Sequence, residues 1–151
     1  MKALSGWAEY FWLLAKNIKP IENRNWPLTR FFDREELPVR IYLHASKTPA
    51  SKDDIAFIRK NLYPEQLKEF DSVNWKDYRG SIIGEITITG QVTLVNSGIL
   101  ADDKGLQAVY SGWFFGIYGF VVENGVLYDK PIPYKGQLQF FEVNIGTSVQ
   151  R

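Results

Sequence analysis

Trp7, Tyr10, Phe11 and Leu14 recur at i, i+3, i+4 and i+7, the spacing of one apolar helix face. Trp12 and Leu13 fall off that stripe, so the helix is either deeply buried or shares a second surface with a ligand. It stops before Pro20, because proline disfavours helical geometry in its predecessor. "PIENRNW" then reads as extended, and alternation puts Glu22, Arg24 and Trp26 on one face, Ile21 and Asn23 on the other. "VRIYLHAS", Val39 to Ser46, is a strand rich in β-branched and aromatic residues. Ser51 to Asp54 forms a capping-box pattern with Asp where Glu is usual, ahead of a helical stripe at Ile55, Ile58 and Leu62. Pro64 suits the first turn of a second short helix through Leu67 and Phe70. Ile83 to Thr89 alternates as a central strand does, and "QVTLVNSG" continues it after a glycine bend. "ILADDKGLQAVYSG" reads as loop. "FFGIYGFVVEN" and "GQLQFFEV" are two further strands, joined by "GVLYDKPIPYKG". The pattern predicts one α+β domain over residues 1–151, its strands mostly in the second half and curled into a small barrel.

Composition agrees with a globular domain of 151 residues, at 45% hydrophobic and 23% charged. No apolar run is long enough to span a bilayer. "MKALSGWAEYFWLL" lacks a small-residue cleavage site and reads as mature protein rather than a signal peptide. With no cysteine, disulfides, thiolate nucleophiles and cysteine zinc sites are excluded, which fits a cytoplasmic protein. A single histidine, His44, excludes a multi-histidine metal site and a two-histidine acid–base pair; neither metal nor cofactor is expected. The net charge of +1 carries no whole-protein basic field. It is uneven, however: residues 1–50 hold eight Lys/Arg against five Asp/Glu, so an anion-binding surface should draw on the first third.

"GWFFGIYG" lacks the Gly-Lys-Ser/Thr of a phosphate loop and opens no helix; its glycines suit bends in a strand. No G-x-S-x-G elbow occurs, and Asp102-Asp103 in a polar stretch reads as solvated. Lys19, Glu22 and Arg24 crowd two cations and an anion into six positions. As a surface ion-pair group they contribute under ~1 kcal/mol. As a site they are flanked by Trp12 and Trp26, and an aromatic plane beside Arg and Lys is the usual apparatus for an unstacked base near a phosphate. "HASK", His44 to Lys47, closes a strand in the same basic third, where backbone N–H groups and Lys47 offer further anion contacts.

"IKPIENRNW" resembles the G-x-K-x-x-E-x-R signature of the ASCH domain, and "IYLHASKTP", "GSIIGEITI", "SGWFFGIYGFVVEN" and "KPIPYKGQLQFFEV" follow in the order of its small bacterial and phage members. The resemblance runs from about Ala3 to Val143. It implies a PUA-like fold, a small, mostly antiparallel β-barrel with flanking helices, and a cleft that binds RNA or nucleotides. By position the signature residues are Lys19, Glu22 and Arg24; Trp26, His44, Ser46, Lys47 and the strand residue Glu85 would line the same cleft, with Trp113 and Tyr118 as its aromatic wall. The signature glycine is replaced by Asn17 or Ile18, depending on register, and asparagine tolerates a left-handed turn. Where many members have "S-x-x-Q-P-W", this chain has "SGWAEY", with Glu9 for the proline and Tyr10 for the tryptophan. A deacetylating branch carries Lys-x-x-Thr and hydrolyses the acetyl amide of N4-acetylcytidine. Here Glu22 stands at the threonine position, which removes that nucleophile.

Three readings follow. In the first, Arg24 and Lys19 contact phosphate or a base edge, Glu22 orients them, and Trp26 or Trp12 stacks on the base. In the second, the cleft is that of a metal-independent hydrolase, a ribonuclease or modified-nucleoside amidohydrolase, with Lys19, Glu22 and Glu85 as its catalytic groups. In the third, the domain binds protein, which its near-neutral charge permits.

Overall fold

The computed structural model describes residues 1–95, 98–100 and 102–145. Seven strands form one sheet: β1 (Lys2–Gly6), β2 (Ile21–Arg24), β3 (Val39–Ala45), β4 (Ser81–Val95), β5 (Gly98–Leu100), β6 (Tyr118–Pro133) and β7 (Phe140–Glu142). Their order is β2-β6-β4-β3-β1-β7, with β5 pairing β4 off that path. All pairs are antiparallel except β1 with β3. Four α-helices accompany the sheet: α1 (Ala8–Ala15), α2 (Lys52–Asn61), α3 (Pro64–Asp71) and α4 (Asp103–Ala108).

The expected barrel is not closed. β2 and β7 end the strand path, each pairing with a single neighbour. Between them an aromatic cluster takes the place of a hydrogen-bond ladder: Trp26 meets Phe140 at 5.6 Å and Phe120 at 5.4 Å, with Phe31 and Phe32 packed on Phe140. β2 and β7 are four and three residues long, and aromatic side chains rather than a ladder fill the seam between them.

The first helix takes the deeply buried alternative that its sequence left open. All eight residues of α1 are buried, yet Tyr10 and Phe11 also line a cleft. It ends at Asn17, whose φ of 60° makes the left-handed turn expected of a glycine substitute. Asn17 then exchanges two hydrogen bonds with the backbone of Gly125, at 3.0 and 2.7 Å. Ser51 caps α2 through its side chain, accepting from Asp54 N–H at 3.1 Å, and Pro64 opens α3.

Four expectations change. β1 was hidden, because "KALSG" sits beside a strong helical stripe and pairs only with distant strands. Part of the segment read as loop is α4, with Asp102 as its N-cap accepting from Gly105 N–H at 2.8 Å; Asn96 and Ser97 of the expected strand continuation and Ala101 of the expected loop lie outside the described residues. Most of the expected connection, "GVLYDKPIP", does not join two strands but continues β6 to Pro133, while Phe114 to Ile117 precedes that strand. Asn124 (φ 55°) and Gly125 make a bulge within it, opposite a register shift in β4. The strand expected over "GQLQFFEV" shrinks to β7.

Bulges also break the parity of β4. Ile83, Ile86 and Ile88 all join the main core, although strict alternation would separate Ile83 from the other two. The register shift between Ile82 and Gly84 accounts for it. Ala3, Tyr42, Ile82, Tyr128, Phe141 and Val143 form a second, smaller cluster.

Candidate nucleotide-binding cleft

A cleft of about 520 Å³ opens at the seam, lined by the end of β1, by α1, by β2 and its continuation to Trp26, and by residues 137–139 leading into β7. This is the size range of small-ligand sites. Lys19, Glu22, Arg24, Trp26 and Ser46 all lie on it.

The signature side chains form a buried charge relay rather than a solvated ion-pair group. Lys19 is 1% exposed and Glu22 6%. Lys19 Nζ donates to Ile21 O at 2.5 Å, lies 3.5 Å from Glu22 Oε1, and sits over the Tyr10 ring at 4.9 Å. Arg24 holds the other carboxylate oxygen, with Nε at 2.9 Å and Nη2 at 2.7 Å, and Nη2 also donates to Ser5 O at 2.8 Å. Among the described residues Arg24 Nη1 has no hydrogen-bond partner. Burial pushes the Lys19 ammonium below the ordinary lysine range; the Glu22 charge and hydrogen bond oppose this, and neighbouring Arg24 reinforces it. Burial, then a 2.7 Å hydrogen bond to Asp54 Oδ1, pushes the Tyr10 hydroxyl up, so it stays a neutral donor.

The aromatic wall differs from expectation. Trp26 lines the cleft but is 8% exposed, wedged edge-on among Phe31, Phe120 and Phe140, with Arg24 over its ring at 5.8 Å. Trp12 is core, packed on Phe70 and Trp75. Trp113 is buried against Phe57, turned inward by Gly112 at φ 86°, and Tyr118 is half-buried at the start of β6, beside the main core. The accessible rings are instead Trp7, stacked on Tyr10 at 6.0 Å, and Phe115, 43% exposed and 6.2 Å from Tyr10. Trp7 belongs to the predicted helical stripe, and Phe115 is held because Asn23 Oδ1 accepts from its N–H at 2.8 Å.

Glu85 lies away from this cleft. Alternating with Ile86 and Ile88 of the main core, it faces the second cluster, where Arg40 Nε donates to it at 2.8 Å and the Tyr128 hydroxyl donates to its other oxygen. His44 and Lys47 line a neighbouring cavity of about 940 Å³, and Ser46 lines both. His44 is buried, its Nδ1 at 3.0 Å from Ser5 Oγ and its Nε2 at 2.6 Å from Tyr134 O; the second contact requires Nε2–H, so Nδ1 accepts from the serine. Glu9, at the variant proline position, is buried and takes both terminal nitrogens of Arg79 at 3.1 and 3.0 Å. Among the described residues no group of three or more metal-ligating side chains occurs, and no helix is long and apolar enough to cross a membrane.

No protein-family model matches the sequence, and no curated protein matches it. Among solved structures the chain is similar to a crystal structure of a mutant of ZmASCH from Zymomonas mobilis, at 13% identity and a TM-score of 0.46, over 95% of this chain and 90% of that one. At that distance the likeness carries no weight for ligand or activity.

Proposed function

We propose that the seam cleft binds RNA or a nucleotide, one base at a time, in a cytoplasmic domain spanning residues 1–151. The observation that carries this reading is the pre-assembled Lys19–Glu22–Arg24 relay opening beside two accessible aromatic rings. Apart from Arg24 Nη1, its polar groups already have partners, so little reorganisation accompanies binding. Arg24 Nη1 supplies the donor to a base edge or phosphate, Glu22 fixes the guanidinium, and Trp7 and Phe115 offer stacking faces. Calorimetric titration of single nucleotides and single-stranded RNA tests it. Arg24→Ala should weaken binding about tenfold or more, and Phe115→Ala should remove a stacking contribution of ~1–3 kcal/mol. Unchanged affinity in both variants would reject the cleft.

One observation favours a hydrolase on the same site, a ribonuclease or modified-nucleoside amidohydrolase. Burial lowers the pKa of Lys19 on the cleft wall, the direction a general base needs, while the Arg24 guanidinium lines the same cleft to face a developing oxyanion. Labelled single-stranded RNA and acylated nucleosides incubated with EDTA distinguish the two. Turnover lost in both Lys19→Ala and Glu22→Ala supports the enzyme; binding without turnover leaves the module.

A further inference from the structure

The cavity beside the cleft has a character of its own. It shares Ser5, Ser46, Gln137 and Leu138 with the cleft, so the two adjoin along the segment that leads into β7. Its wall carries Lys47, Arg79 and Lys135 and no carboxylate. Glu9 neutralises Arg79 from the buried side, but Lys47 and Lys135 are exposed and make no ion pair among the described residues. The stem of Lys47 runs along the neighbouring turn. Gly80 (φ +76°) lies under its stem, and a Cβ there would stand 3.2 Å from Lys47 Cε. The opposite wall is fixed in turn, because His44 Nε2–H donates to Tyr134 O and Gly136 lies against the imidazole.

A groove walled by unpaired cations and free of acids, continuous with a base-sized cleft, fits the chemistry of a phosphodiester chain. We infer that the Lys47–Lys135 groove is a backbone-phosphate subsite, so that the ligand of the cleft is a single-stranded oligonucleotide rather than a free base or nucleoside. This rests on the proposed cleft reading. A nucleoside triphosphate offers similar charge at one end only, whereas the groove places its two unpaired lysines beside the cleft rather than within it.

The test compares wild type, a Lys47→Ala/Lys135→Ala double variant and Arg24→Ala by fluorescence anisotropy. The probes are an eight-nucleotide single-stranded RNA, ATP and adenosine across a salt series. Both lysines are exposed, so the double variant should fold normally, which circular dichroism checks. RNA affinity should fall about five- to tenfold, and the slope of log K against log salt should shrink by about 1.4, two contacts on a single strand. Adenosine affinity should not move. An unchanged RNA affinity and slope in the double variant, with Arg24→Ala still weakened, would overturn the groove and leave the cleft standing. Loss of ATP binding without loss of RNA binding would overturn the oligonucleotide assignment. RNA binding indifferent to Arg24→Ala as well would overturn the cleft itself.

Discussion

Glu22 is the residue on which the cleft depends, because one carboxylate serves two cations. Its Oε1 faces Lys19 and its Oε2 takes Arg24, and neither lysine nor carboxylate has much access to water. Removing one partner from such a group leaves uncompensated buried charge. Glu22→Ala should therefore destabilise the fold by about 3 kcal/mol in urea unfolding, and more than Lys19→Met, which removes the charge together with the need to solvate it. An effect below ~0.5 kcal/mol would mean the relay is a solvated surface group after all. His44 makes a prediction about pH. Burial pushes its pKa below the ordinary 6.5, so the unfolded chain binds a proton in acid that the folded chain refuses. Stability contributed by neutral His44 is thus fully present above pH 6.5 and is lost as pH falls toward the lowered folded value. His44→Gln should flatten that part of the stability–pH profile. A profile unchanged by the substitution would show that His44 does not set it.

At the scale of elements, the junction between α1 and β6 shows how a local residue choice positions the site. Asn17 must turn left-handed, and its amide then braces Gly125 in the β6 bulge. Asn17→Ala should cost about 1–2 kcal/mol, from the left-handed backbone and the lost hydrogen bonds, with Asn17→Gly recovering the first part. Gly125→Ala should be far worse. Its Cβ would stand 2.3 Å from Leu14 O, a backbone atom that cannot step aside. Differential scanning calorimetry of the three variants checks the ranking. The same elements explain what was legible beforehand. Capping at Ser51, proline at the first turn of α3 and the β-branched and aromatic composition of β3 are local signals, and all three elements stand where those signals put them. Glu85 was placed in the cleft by its motif, yet it alternates with the core residues Ile86 and Ile88 and so lies on the other face of β4, which the motif does not state. Trp113 and Trp26 illustrate a second limit. Aromatic type does not say whether a ring offers its face or is gripped on all sides, and that depends on distant Phe57 and Phe140.

Across the whole molecule, barrel closure was the feature least accessible to the sequence, since it depends on strands brought together by the twist of all the others. What stands in its place is a sheet whose two end strands meet through Trp26, Phe120 and Phe140, with the cleft in the gap. A seam joined by rings rather than by a ladder has a kinetic signature. Amide protons along the free edges of β2 and β7 lack the cooperative protection enjoyed by those in the middle of β4, which is paired on both sides. Deuterium should enter the two edges first and β4 last. A ligand seated in the gap should slow uptake at β2 and residues 137–139, reporting occupancy without labelling either partner. The unclosed edge would then be the part of the domain that breathes, and binding the event that stops it.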